Sequence, residues 1–540
     1  MNNRRAKEGV PNMTYKVLVS DPVSEEGLTI LRQAEGIEVD VKTGLSEEEL
    51  TQIIGQYHAL IVRSQTQVTA KIIEAAHQLK VIGRAGVGVD NIDLSAATAK
   101  GIIVVNAPDG NTISTAEHTF SMLMALARKI PQAYLKLKQH VWDRKTFVGV
   151  ELNEKTLGII GLGRIGTEVA KRAKAFNMKV IAHDPYLTPD KAEKLGIQMG
   201  SLDDVITTAD FITVHTPLLK ETRHMISTEQ FKRMKDGVYI LNCARGGIID
   251  EDALYEAIVS GKVAGAALDV FEEEPVTHHR LLELDQVIAT PHLGASTKEA
   301  QVNVAIIVCQ EILNALKGQP VKNAVNMPSI PSHLLSKLEP YILLCERLGS
   351  FAAQAFKGAI QEINVTYAGE LTDLDVSPLT RYVIKGVLSV HLGQQVNVVN
   401  APYLAKQRDV VINEQKSSTS GGFTNLINVE LVSHHQKKRV SGTLLNGFGA
   451  RIVKVDHYSI DVEPKGHLIY IHHNDRPGVI GRVGTLLGSY DINIATMQVG
   501  RSDVGGDAIM MLSVDNPASK EVLDQLSQLQ EIKSVTEIDL

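Results

Sequence analysis

TLGIIGLGRIG, Thr156 to Gly166, joins a short apolar run to a stretch patterned as a helix, Arg164 to Phe176. Its glycines fall in the spacing GxGxxG. A glycine at 161 permits a tight turn after a strand. One at 163 lets the backbone approach a pyrophosphate, and one at 166 lets the helix pack close to the sheet. The free N–H groups and positive dipole end of the helix then face the phosphates. A plain structural turn is the alternative, but the flanking strand and helix patterns favour a dinucleotide loop. About 20 residues on, KVIAHD ends at Asp184, where a carboxylate accepts hydrogen bonds from ribose hydroxyls and repels a 2′-phosphate. This predicts NAD over NADP. A helix-capping aspartate before Pro185 is the alternative on spacing alone.

The same texture extends both ways. From Tyr15 to about Leu316, valine-rich runs alternate with helical patterns: KVLVSD, ALIVRS, KVIGRAG and IIVVNAP, then KVIAHD, FITVHT and GVYILNCA. Such alternation means βαβ units and parallel sheets covered by helices on both faces. Two sets, separated by Asp109 to Val150, predict two lobes with a cleft between them. VKNAVNMPSIPS, Val321 to Ser332, is read as a linker. Beyond it, a helix near Tyr341 to Lys357 precedes strand-like EINVTYAGEL, VNVVNAP, NLINVELVS and ARIVKVD, an α+β texture over 333–462. Residues 467–540 follow a βαββαβ pattern. Lys437-Lys438-Arg439 reads as a solvated turn.

At 540 residues, a prior of about 150 per domain gives three to four domains. A net charge of −7 speaks against a nucleic-acid footprint. Three cysteines, Cys243, Cys309 and Cys345, form no disulfide framework and no CxxC metal pair, which fits a reducing cytoplasm. The polar start MNNRRAKEGVPNM lacks a signal-peptide core and reads as a disordered lead-in, with Met13 an alternative start. No apolar stretch reaches the roughly 18 residues of a membrane span.

After the glycine loop come CARGGIID, LDVFEEEP and TPHLGAST, carrying Arg245, Glu274 and His292. Oxidising a secondary alcohol beside a carboxylate requires a base for the hydroxyl proton and a cation for the carboxylate. Histidine titrates near neutrality and suits the first task. Arginine, planar and always charged, suits the second. A glutamate on the far ring nitrogen fixes the histidine tautomer. Each has a bland alternative: one of 18 histidines, the end of the acidic run Glu272-Glu273-Glu274, a loop charge before two glycines. Gly86 to Gly88 in RAGVGVDNID offers free N–H groups as an anion nest, with Arg63 and Ser64 of VRSQT for a second anion.

These three runs together resemble the D-isomer-specific 2-hydroxyacid dehydrogenases over about residues 14 to 325. The resemblance implies two Rossmann-like doubly wound lobes: a cofactor lobe, 108–296, inserted into a discontinuous substrate lobe, 14–107 with 297–326. It makes Arg245 the substrate-binding arginine, Glu274 the orienting acid and His292 the general acid/base. The cofactor contacts it implies are Gly161, Gly163, Arg164, Ile165, Gly166, Asp184, Thr216, Cys243, Ala244, Arg245, Asp269, His292, Gly294 and Ala295. The whole chain is similar to long-form members that oxidise 3-phosphoglycerate with NAD at the start of serine synthesis. That likeness adds Lys42, Arg63, Ser64, Gly86, Val87, Asn111 and Gln301 at the substrate end. Val87 stands where many members carry Thr, which leaves a side-chain contact there in doubt. Residues 333–462 resemble an allosteric substrate-binding domain, and 467–540 an ACT domain. In serine-binding ACT domains the matching positions are Asp475 and Asn493, although Asp475 replaces the usual Asn. Trp142 lies in a segment that the family uses for dimer contacts, implying a homodimer or homotetramer; a buried core aromatic is the alternative. Rival readings are a glycerate/hydroxypyruvate reductase and a non-catalytic NAD-sensing protein.

Overall fold

The computed structural model describes residues 14–187, 189–330 and 332–540; Met13 and the polar start lie outside them. Two parallel sheets form the first three-fifths of the chain. The five-stranded sheet runs in the order Ile37–Val41, Tyr15–Val19, Ala59–Val62, Val81–Arg84, Ile103–Val105. The seven-stranded sheet runs Val287–Ala289, Val263–Leu268, Val238–Asn242, Phe211–Val214, Thr156–Ile160, Lys179–His183, Gln198–Met199. Its order reverses between Thr156–Ile160 and Phe211–Val214, leaving a crevice at their carboxyl ends, where ligands of doubly wound sheets bind.

The chain returns to the first sheet through helix Lys298–Leu316. Val304, Val308, Cys309 and Ile312 of that helix pack on Val17, Val19 and Val81. The linker region is stitched to that sheet's edge: Val325 N–H donates to Val104 at 2.7 Å, and Asn326 Oδ1 accepts from Val104 N–H at 2.9 Å.

The third sheet is mixed, in the order Val411–Ser417, Glu362–Gly369, Asn425–Val432, Lys437–Leu445, Gly449–Val455, Tyr458–Val462. Helices Ser332–Gln354 and Ser377–Leu392 accompany it. Three expectations fail here. Lys437-Lys438-Arg439 is strand, not turn, and two of its charges find partners: Lys438 meets Asp456 at 2.7 Å and Arg439 meets Glu430 at 2.7 Å. VNVVNAP is not strand. Asn397 Oδ1 accepts from the N–H groups of Val399 and Asn400, and Asn400 Oδ1 from Asn397 N–H at 2.8 Å. These local bonds outcompete a ladder, and helix Ala401–Lys406 follows. The first helix begins at Ser332 with Pro340 inside it; burial of Leu338, Tyr341, Leu344 and Leu348 offsets the bond that proline forfeits.

The last sheet, in the order Ile494–Arg501, Asp507–Val514, His467–Asn474, Ile532–Asp539, is antiparallel with two helices, a βαββαβ unit. Alternation along its strands buries both faces. Ile469, Ile471, Met510 and Leu512 face its own helices. Leu468, Tyr470, Ile509 and Met511 join the core of the preceding mixed-sheet unit, where Phe351 lies 6.1 Å from Tyr470, centroid to centroid. We therefore expect these two units to melt together. Phe351→Ala should lower stability by about 3–5 kcal/mol and shift a single shared transition in calorimetry; a separately melting C-terminal unit contradicts the shared core.

Candidate active site

Strand Thr156–Ile160 and helix Arg164–Ala175 present the glycine loop at the crevice. Gly161 has φ +94, and a Cβ there would lie 2.6 Å from the His215 carbonyl oxygen. A Cβ at Gly166 would collide with the Gly161 carbonyl, so helix and loop touch backbone to backbone. At Gly163, exposed at the helix start, nothing lies within 4 Å of a would-be Cβ, which leaves room for a phosphate to reach the free N–H groups. Asp184 is not a simple cap: its Oδ2 accepts from Leu162 N–H at 2.9 Å, tying it to the loop, and Oδ1 accepts from Tyr186 N–H at 2.8 Å. Across the crevice, Thr216 Oγ1 is buried without a hydrogen-bond partner, a polar atom that a bound dinucleotide would satisfy. Arg164 pairs with Asp109 at 2.5 Å, and Ile165 is half-buried. Cys243 is buried, and burial pushes its thiol up to about 12, so it contributes shape rather than thiolate chemistry. Ala244 N–H donates to Asn242 Oδ1 at 3.1 Å, while Asn242 Nδ2 donates to the Arg245 carbonyl at 2.9 Å.

His292 Nδ1 meets Glu274 Oε2 at 2.7 Å, and Glu274 Oε1 accepts from Phe271 N–H at 3.0 Å. Burial opposes ionisation of Glu274, but the bonds from His292 and Phe271 outweigh it and hold the carboxyl below its ordinary value. The glutamate is therefore a carboxylate, and its contact leaves Nε2 as the ring's free nitrogen. His292 adopts a left-handed φ of 55, held by the fully buried Asp269. One carboxylate oxygen of Asp269 accepts from Thr290 Oγ1 at 2.6 Å, Leu293 N–H at 2.7 Å and His118 Nε2 at 3.2 Å. The other accepts from Gly294 N–H at 2.8 Å.

Arg245, Glu274, His292, Asp269 and Ala295 line one cleft of about 640 Å³ together with Arg63, Ser64, Gly86, Val87, Asn111 and Gln301. Asn111 Oδ1 is buried and unpartnered. Lys42 does not line this cleft; its ammonium donates to the Tyr57 hydroxyl at 3.1 Å. Asp475 is engaged by Arg501 at 3.2 Å, and Asn493 donates to Asp515 at 2.8 Å. Trp142 is 79% exposed, among exposed Ile130, Tyr134, Leu135 and Val148, so it is no core residue of the single chain.

The family model of the D-isomer specific 2-hydroxyacid dehydrogenase NAD binding domain matches residues 120–294. A D-3-phosphoglycerate dehydrogenase intervening domain matches 337–456, and an ACT domain 467–531. A D-3-phosphoglycerate dehydrogenase of Archaeoglobus fulgidus is 48% identical over 528 residues, covering 97% of this chain and 100% of that protein. The chain belongs to the D-3-phosphoglycerate dehydrogenase family. A Bacillus subtilis member is 47% identical over 526 residues, again 97% of this chain and 100% of the relative. Among solved structures, a D-lactate dehydrogenase of Aquifex aeolicus complexed with NAD and lactic acid is 31% identical, with a TM-score of 0.51 over 58% of this chain and 100% of that one. The TT0316 protein of Thermus thermophilus gives 35% and 0.54 over 57% and 99%.

For this family member, sequence reading overlooked several residues in and around the cleft. Arg84 lines it with a buried, unpartnered Nε; burial, with the nearby charge of Arg245, pushes it down to about 10. His118 reaches Asp269 and Thr290 from helix Thr112–Ala127. His215, half-buried and pushed down to about 4 by desolvation of its ring, is neutral beside the crevice. A single histidine among 18 carries no such signal. For Asp269, burial raises its carboxyl but its hydrogen bonds win and hold it below the ordinary value. A depressed carboxyl gives stability that is present above its unfolded pKa, about 3.9, and lost as pH falls through the folded value. Asp269→Asn should cost about 2 kcal/mol at pH 7. The gap to wild type should hold above about pH 4 and narrow as pH falls below it, read from denaturant midpoints; a constant gap contradicts the clamp.

Proposed function

We propose that this chain oxidises 3-phospho-D-glycerate to 3-phosphohydroxypyruvate with NAD, the opening step of L-serine formation. The observation that carries the substrate is the convergence of Arg63, Arg84 and Arg245 on the cleft that holds His292. A substrate with a carboxylate at one end and a phosphate at the other satisfies such a set; an unphosphorylated hydroxy acid leaves buried positive charge unpaired. Arg245 takes the carboxylate and polarises the forming carbonyl. His292 Nε2 removes the hydroxyl proton, and Glu274 stabilises the imidazolium so formed. Gly161 to Gly166, Asp184 and Thr216 would hold the phosphates, ribose and neighbouring groups of NAD, and Asp269, Gly294 and Ala295 would shape the nicotinamide end, where the cofactor would supply the acceptor for the C2 hydride. Arg63 and Arg84, with Ser64, Asn111 and Gln301, serve the phosphate end; Lys42 stands apart and is a substrate contact only if the lobes move.

In this reading residues 14–107 with 297–326 form the substrate lobe and 108–296 the cofactor lobe. Residues 333–462 form a second ligand-sensing domain, and 467–540 the ACT domain. The exposed apolar stretch from Ile130 to Val148 favours a homodimer or homotetramer. Three buried free thiols suit a cytoplasmic setting, and no helix among the described residues is long and apolar enough to cross a membrane.

Steady-state kinetics test the reaction. His292→Ala should cut turnover at least about 10³-fold while NADH still binds. Arg63→Ala should raise KM for 3-phosphoglycerate about tenfold or more and leave that for glycerate nearly unchanged. A wild type that prefers glycerate or hydroxypyruvate indicates the reductase, and one that binds NAD without turnover indicates a sensing protein. We propose L-serine as an effector at Asp475 and Asn493, joined across two copies of the ACT domain. Titrating activity to millimolar L-serine should lower it; unchanged rates remove the effector.

A further inference from the structure

We infer that Asp90 is a positioning residue that aims Arg245 at the substrate carboxylate. The inference rests on the proposed role of Arg245 and adds a residue from the opposite lobe to it. Arg245 follows strand Val238–Asn242 of the seven-stranded sheet. Its side chain crosses the cleft, lies over Gly88 so closely that a Cβ there would run into the guanidinium, and ends on Asp90. Arg245 Nε donates to Asp90 Oδ2 at 2.9 Å, joining positions 155 apart in sequence. NH1 donates to the Ala244 carbonyl at 2.6 Å. A long side chain that is otherwise free to rotate is thus held at two points.

The geometry separates a positioning role from a competing one. Asp90 takes the Nε side through one oxygen and leaves NH2 and the second NH1 hydrogen, the terminal edge of the fork, for a ligand carboxylate. Its neighbour Asn91 does parallel work: Nδ2 donates to the Arg63 carbonyl at 2.7 Å and to the Thr66 carbonyl at 2.6 Å. One dipeptide on the substrate lobe therefore fixes an arginine of each lobe. Asp90 is 66% exposed, so the ion pair adds little to stability and its removal should leave the fold intact.

The full chain carrying Asp90→Ala or Asp90→Asn tests this. Asp90→Ala should raise KM for 3-phosphoglycerate about tenfold, lower kcat less than about threefold, and leave the NADH dissociation constant unchanged by fluorescence titration. Asp90→Asn keeps an acceptor for Nε and should recover most of that loss. An unchanged KM overturns the role. So does a lowered KM, which would make Asp90 a rival of the substrate, or NADH binding weakened in step with KM, which would make it a loop support. A wild type inactive on 3-phosphoglycerate but active on another 2-hydroxy acid overturns the proposed substrate alone, and the KM comparison on that acid then decides the role of Asp90. A wild type inactive on every 2-hydroxy acid overturns both.

Discussion

A buried carboxylate must collect donors or unfold the site around it, and Asp269 collects four. Two of them are backbone N–H groups of Leu293 and Gly294. Accepting both bends the chain through the left-handed conformation at His292, and in that conformation the imidazole reaches Glu274 at 2.7 Å. The His292–Glu274 contact is thus a consequence of a carboxylate one strand-end away. Thr290 and His118 complete the clamp from the loop itself and from the helix that opens the cofactor lobe. Such over-determination fixes the aim of the imidazole.

The arginines that line the cleft follow the opposite principle, charge left without a full set of partners. Each lobe brings arginine to the cleft and neither lobe neutralises it fully. Arg84 keeps a buried Nε unpaired, and Arg63 holds its place through its backbone, from which Asp21 Oδ2 accepts at 2.6 Å. The unmet hydrogen-bonding capacity costs folding free energy that an anionic ligand would return on binding. The carboxylate clamp around His292 and the arginines of the cleft are therefore separate networks that line one cavity.

The regular parts of this design were legible. GLGRIG between a strand and a helix favoured a dinucleotide loop over a plain turn, and an NAD binding domain does span it; Arg245, Glu274 and His292, read as one set, do line one cleft. Local competition was less legible. In VNVVNAP the alternating valines suggested a strand, yet Asn397 and Asn400 bond to their own backbone first. Lys437 to Arg439 looked like a solvated turn because their acidic partners lie 9 to 18 residues away. His118 and Asp90 were missed for a common reason: each meets a partner distant in sequence, 151 positions away for His118 and 155 for Asp90.

Read alone, the sequence determined the parallel α/β lobes, the dinucleotide loop and the βαββαβ end, because these depend on period, spacing and side-chain chemistry within a few tens of residues. Only the tertiary structure decided which charges meet in the cleft, that Lys42 stays out of it, and that the last two units share one core through Phe351 and Tyr470. Those outcomes depend on burial, on which donors a desolvated acceptor can reach, and on contacts between segments that no local pattern relates.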